Sequence, residues 1–177
     1  ESIVQRRRTG DEDTAGHTGA PQPVVLITYA TRETEIRAAL AAIEAAGWHV
    51  AFRGEKSYNG VALISRQPLE SVSFGHDDGP ADETRLICGK IGGVAVVNTY
   101  VPQGREIDHP MFAYKLEWYA RLRRFFDRHY KASEPVLWTG DLNIAAEPID
   151  VHSPHDYVNH VCFHESARKA FSDCRDW

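Results

Sequence analysis

Five short runs rich in β-branched and apolar residues follow one another between residues 49 and 100: His49–Phe52, Val61–Ser65, Glu70–Phe74, Thr84–Lys90 and Val94–Tyr100. Turn signals separate them: Asn59-Gly60, Gln67-Pro68, Asp78-Gly79-Pro80 and Gly92-Gly93. Links this short leave no room for a crossover helix, so consecutive runs pair as antiparallel hairpins. That excludes an all-helical fold and an all-parallel sheet. The acidic stretch Asp77–Glu83 reads as a solvated hairpin end.

Helical patterns flank this block. Ile36, Leu40 and Ile43 fall on one face of a helix over Glu33–Ala46, with Gly47 as its stop. Phe112, Leu116, Tyr119, Leu122 and Phe126 form the apolar stripe of a second helix, Pro110–Tyr130, with Pro110 in its first turn. Lys115, Arg121, Arg124, Arg128 and Lys131 fall off that stripe and are read as a solvated face. Val24–Tyr29 and Pro135–Thr139 read as buried strands, and a last helix starts near Glu165 and still runs at Trp177. Residues 1–22 carry Arg6-Arg7-Arg8, then Asp11-Glu12-Asp13, and lack apolar periodicity, so they read as an irregular segment. The order of elements predicts a mixed α/β layer architecture with a largely antiparallel sheet.

Hydrophobic residues make up 42% of the 177 and charged residues 25%, the balance of a folded soluble chain. No apolar run approaches the ~20 residues that span a bilayer, and no secretory leader opens the sequence. Twenty basic against 25 acidic residues leave a net charge of −5, so a nucleic-acid partner requires a local positive face. Cys88, Cys162 and Cys174 are odd in number and widely spaced. They support neither a zinc site nor a disulfide framework, and read as reduced thiols of a cytoplasmic protein.

Three motifs carry chemistry. Gly140-Asp141-Leu142-Asn143 ends a buried strand; Asp141 and Asn143, two apart on extended chain, point to one side. They supply an anionic base or metal ligand beside a neutral amide that holds a phosphate oxygen or a water. A turn in which both residues bond their own backbone accounts for the same letters. In Asn98-Thr99-Tyr100-Val101-Pro102-Gln103-Gly104, a strand delivers the phenol of Tyr100 to a loop. That phenol donates to a phosphate oxygen or merely caps the core. Asn59-Gly60 marks a tight turn beside Lys56 and Tyr58, which are placed to meet a backbone phosphate or to serve an ordinary hairpin.

Taken together, KSYNGVALISR, NTYVPQG and WTGDLNIAAEPIDVH resemble exodeoxyribonuclease III, the family of bacterial DNA-repair exonucleases and apurinic/apyrimidinic (AP) endonucleases in the endonuclease–exonuclease–phosphatase superfamily. HPMFAYKLEWYARLRRFF and NHVCFHESARKAF look like the same family. The resemblance implies an α/β fold, a two-layer β-sandwich flanked by helices (DNase I-like), incomplete as given, with residues 23–177 forming a partial domain. It implies hydrolysis of DNA phosphodiesters with Mg2+ or Mn2+ by a monomer acting on double-stranded DNA, with no membrane involved. By the same resemblance Asp141 activates the attacking water, Asn143 places it and Tyr100 touches the phosphate. Asp141 and Asn143 also lie at the metal, and Lys56, Tyr58, Asn59 and Gln103 approach the DNA.

Two departures qualify this. The family's metal-binding Glu falls on Ala30 if the spacing to Gly47-Trp48 is kept, and on Glu33 if the Glu-Thr dipeptide is kept. The family's opening strand with a metal-site Asn, and its closing Asp-His pair, have no counterpart among the 177 residues. None of the nine histidines matches a family motif, and His152, His155, His160 and His164 read as a surface loop. Three readings stand: a metal-dependent DNA repair nuclease, a non-catalytic fragment or DNA-binding remnant of that family, and a phosphatase or phosphodiesterase acting on a small substrate. The YVPQG loop, with Lys56, Arg66, Arg105 and Lys115, favours the first over the third.

Overall fold

A computed structural model of the protein describes residues 33–55, 59–79 and 84–177, without the side chains of Glu33 and Thr34. The strand expected at Val24–Tyr29 and the irregular segment 1–22 lie outside the described residues.

β1 (His49–Gly54) and β2 (Gly60–Ser65) form an antiparallel hairpin with His49 opposite Ser65. β3 (Glu70–Phe74), β4 (Leu86–Ile91), β5 (Val94–Tyr100) and β6 (Val136–Asp141) form a second sheet in that order. Its first three strands are antiparallel, as the turns require. The β5–β6 pair is parallel, because α2 (Pro110–His129) carries the chain back along the sheet between them. The carboxyl ends of β5 and β6 therefore lie side by side, where open α/β sheets place their ligands.

Two apolar layers hold this arrangement. Val61 and Leu63 of β2 meet Ile87, Ile91 and Val96 of the larger sheet, so the sheets pack face to face. The other face, through Leu86, Cys88, Val97 and Val101, meets Trp118, Tyr119, Leu122, Phe125 and Phe126 of α2 and Cys174 of α4 (Glu165–Arg175). Burying each large aromatic contributes roughly 2–3 kcal/mol. α1 (Glu33–Ala45) runs against β1, with the Arg37 guanidinium 5.9 Å from the Phe52 ring. Ala51 faces the inter-sheet core, so Phe52 and α1 lie on the outer side. The result is a β-sandwich flanked by helices, as expected.

Four expectations need correction or completion. Lys115 and Arg121 are buried, not solvated. Asp77 and Asp78 are exposed, as expected, but they are also paired: Asp78 accepts from Arg121 at 2.6 Å, and Asp77 from Arg128 at 2.7 Å. The hairpin end thus docks on α2, because a buried guanidinium must be matched by a carboxylate. α4 stops at Arg175 rather than continuing to Trp177; Asp176 leaves the helical conformation, and the Trp177 ring stacks on Phe126 at 5.4 Å. Two short helical pieces were not foreseen, a 3-10 turn at Pro148–Asp150 and α3 (Pro154–Tyr157). Among the described residues no helix is long and apolar enough to cross a membrane, and Cys88, Cys162 and Cys174 are free thiols.

Candidate active site

Parallel register sets Tyr100 opposite Asp141, one strand apart, at the ends of β5 and β6. Tyr100 faces the inter-sheet core, away from α2, on the side of Asn98, whereas Asp141, one residue beyond Gly140, lines a cavity with Phe171 of α4. Gly140 makes the closeness of the two strands possible. Its φ is +118°, and a Cβ there would stand 2.0 Å from the Thr99 carbonyl oxygen.

Beyond Gly140 the chain turns sharply and is held at every step. Asp141 Oδ1 accepts from the Asn143 backbone N–H at 3.0 Å, and Asn143 sits at φ +49°. The turn reading of these letters is therefore realised, and it fixes the carboxylate. Three consecutive carbonyls each receive a donor: Val101 N–H reaches Asp141 O at 2.9 Å, Tyr119 Oη reaches Leu142 O at 2.5 Å, and Lys115 Nζ reaches Asn143 O at 2.6 Å. Asn143 Nδ2 donates to Val101 O at 2.8 Å. That bond uses one amide hydrogen and orients the side chain, and no described residue takes Oδ1. The chemistry open to this turn is that of hard oxygen donors on a rigid frame.

A cavity of about 570 Å³ opens beside the turn, lined by Asp141, Asn143, Ala145, Asp150, Cys162 and Phe171 among others. Tyr100 does not line it. Its half-buried ring packs against the inter-sheet core, with the Arg85 guanidinium 4.8 Å from the ring centre. Arg85 Nη1 donates to Tyr100 O at 3.2 Å and Nη2 to Asn59 Oδ1 at 2.9 Å. Asn59 is thus drawn toward Tyr100 and engaged by a side chain. Gln103 is exposed, and its Oε1 accepts from Arg105 N–H at 2.6 Å, closing a tight loop. Lys56, Tyr58 and Ala30 lie outside the described residues. Glu33 opens α1, and the Arg37–Phe52 contact brings that end of the helix to the Gly54 end of β1.

The four late histidines serve the loop itself. His164 Nδ1 accepts from Ser166 N–H at the start of α4, His160 Nδ1 lies 2.9 Å from Cys162 Sγ, His155 Nδ1 lies 3.3 Å from Asp156 Oδ1, and His152 packs on Tyr157. Among the described residues no three His, Cys, Asp or Glu side chains gather as a metal cluster. Sequence reasoning missed Arg85 and the inward turn of Lys115. For Lys115 the signal was present, since it stands three after Phe112 and four before Tyr119, within the apolar stripe.

Burial pushes the Lys115 ammonium down to about 8, although Cys162 and Asp141 pull it back up. Burial also raises the Tyr119 phenol well above its usual range, so it stays a donor to Leu142 at any working pH.

The Endonuclease/Exonuclease/phosphatase family model matches residues 10–173. The chain belongs to this family. Among solved members, an AP endonuclease from Archaeoglobus fulgidus superposes with a TM-score of 0.81 at 43% identity, over 86% of this chain and 59% of that one. A Neisseria 3' phosphatase, bound to a product DNA hairpin, gives 0.73 at 32% identity over the same shares. Exodeoxyribonuclease III of Haemophilus influenzae is 32% identical over 111 residues, 59% of this chain and 42% of its own length. The chain thus spans less than two thirds of these family members.

Proposed function

We propose that this chain carries the hydrolytic centre of an exodeoxyribonuclease III-type DNA repair nuclease, cleaving phosphodiesters of double-stranded DNA with a divalent metal. The observation that carries this reading is the Tyr100–Asp141 register beside a turn whose three carbonyls are all held. The names of the similar proteins, an exodeoxyribonuclease III and an AP endonuclease, give the substrate class.

The residues divide the work as follows. Asp141 Oδ1 is occupied by the turn, which leaves Oδ2 to take the proton of the attacking water. Asn143 offers Oδ1 and its second amide hydrogen to orient that water and a phosphoryl oxygen. Tyr100 donates to the same phosphate from the neighbouring strand. Asp141, Asn143 and Glu33, the residue that opens α1, would supply oxygen ligands of the kind Mg2+ or Mn2+ takes, with Ala30 the competing register. Bound there, the cation withdraws charge from the phosphoryl group as a Lewis acid. Lys56, Tyr58, Asn59 and Gln103 line the approach of the duplex. A monomer in the cytoplasm completes the proposal.

An incision assay on a duplex with one abasic site tests it. Metal-dependent nicking is expected, abolished by EDTA and reduced at least about 100-fold by Asp141→Ala. A folded protein that binds the duplex but never nicks it, with or without Mg2+, supports the alternative, a DNA-binding remnant, and overturns the nuclease.

A further inference from the structure

Lys115 is wholly buried, yet it carries a charge, and no carboxylate accepts a hydrogen bond from it among the described residues. Its three ammonium hydrogens are matched by three backbone carbonyls: Asn143 O at 2.6 Å, Val161 O at 2.8 Å and Gln103 O at 3.3 Å. These carbonyls come from three separate loops. One follows β5 and bears Gln103, one is the Asp141–Asn143 turn, and one precedes α4 and sets Cys162 on the wall of the cavity. Burying an ammonium costs several kcal/mol, and a neutral apolar residue would fill the α2 interface at no such cost. What the charge adds is a single point to which all three loops must come.

We propose that Lys115 is a positioning residue. Its ammonium sets the distance between the Gln103 loop and the Asp141–Asn143 turn, and thereby the geometry in which the phosphate is held. This rests on the nuclease reading of the site for its effect on turnover, but not for its effect on the loops. Gly104 sharpens the point: a Cβ there would meet the Lys115 stem at 3.3 Å and Val161 at 3.4 Å, so loop and lysine are fitted to each other. Asn143 has three anchors, its carbonyl to Lys115, its side-chain amide to Val101 and its N–H to Asp141, so loss of the lysine frees the carbonyl end only. The turn then swings about the other two rather than unfolding.

The test replaces Lys115 with Met, which keeps the length of the stem and removes the donors. Hydrogen exchange of backbone amides is followed in two peptides, residues 101–105 and 141–145, and in β4 as a control. Exchange is expected to rise at least about tenfold in both loops together and to stay unchanged in β4. In the incision assay kcat should fall about 100-fold, as a displacement near 1 Å can produce, a larger loss than any rise in KM that loosening of the Gln103 loop brings. Propylammonium, which replaces the lost stem and charge in Lys115→Ala, should restore part of kcat, whereas propanol should not. Unchanged exchange in either loop, or exchange rising equally in β4, overturns the proposal. So does a loss of activity that merely follows the unfolded fraction. If the parent itself fails to nick DNA, the nuclease reading falls and the exchange data still judge Lys115. Should the Met variant not fold, Lys115→Arg decides the matter. Its planar fork cannot serve three acceptors gathered round one nitrogen, so kcat should stay at least about tenfold below the parent, and parental kcat would overturn the proposal.

Discussion

At Gly140 one methyl group decides whether the two strands that bring Tyr100 and Asp141 together can lie side by side. A Cβ at this position meets backbone on two sides, Thr99 O at 2.0 Å and Thr99 N at 2.8 Å, as well as Asn98 Oδ1 at 2.5 Å. Backbone cannot rotate aside as a side chain does. Gly140→Ala also forces a non-glycine residue to φ +118°. The combined strain and crowding is expected to cost roughly 3 kcal/mol or more, read as a lowered urea midpoint with an unchanged m-value. A variant as stable as the parent would show that β5 and β6 separate easily. The glycine was legible in the sequence as part of a motif, but its reason was not. The close approach arises from parallel pairing across a helix of twenty residues, a contact that no local pattern encodes. Lys115 is the converse case. Its place in the stripe was open to inspection, but charge was allowed to outweigh periodicity. What keeps the ammonium inside is a set of carbonyls brought from 12, 28 and 46 residues away along the chain.

At the scale of elements, α2 organises the molecule by offering one face to the sheet and a second to the hairpin end at Asp77–Asp78. The strands between 49 and 100, and both long helices, were legible within a few residues because turn chemistry and a 3.6-residue period are local signals. Pro148–Asp150 and Pro154–Tyr157 escaped because three or four residues carry no period, although each begins with a proline in the position that suits a helix start. The docking of Asp78 on Arg121 was invisible, since the partners are 43 residues apart. It has a measurable consequence. The Arg121 hydrogen bond, opposed by burial, holds the Asp78 carboxyl below its ordinary value of 3.8. A carboxyl lowered in the folded state stabilises the fold above its unfolded value, and that contribution disappears as pH falls through the lower folded value. Asp78→Asn should therefore cost about 1–2 kcal/mol at neutral pH, the loss of charge-assisted hydrogen bonds that a buried guanidinium donates to a solvent-exposed carboxylate. The gap between parent and variant should close as pH drops below about 3.8. Thermal melts across that range provide the check, and a gap independent of pH would show that the pair contributes packing rather than charge.

For the molecule as a whole, the proposed function asks how a chain of net charge −5 would hold a polyanion. The cations are distributed unevenly in their commitments. On the outer side of α2, Arg123 pairs with Asp127, Arg124 with Glu117, and Arg128 with Asp77, so that face is closer to neutral than its sequence suggests. At the carboxyl ends of β5 and β6, Lys115 is spent on carbonyls, and Arg85 on Tyr100 and Asn59. Arg105 is exposed there. Affinity should accordingly come from a few phosphates gripped at one end, not from a broad basic surface. Counterion release then gives a shallow dependence: the logarithm of the binding constant should fall with the logarithm of salt at a slope near −2 to −3, the value for about two to three neutralised phosphates. Fluorescence anisotropy of a labelled abasic duplex, titrated from about 50 to about 200 mM salt, measures it directly. Arg105→Ala should flatten the slope by about one, whereas Arg124→Ala, on the outer face, should leave it unchanged. A slope beyond about −6 would require many more phosphate contacts than this end supplies. It would mean that DNA lies along α2 and breaks its ion pairs to do so.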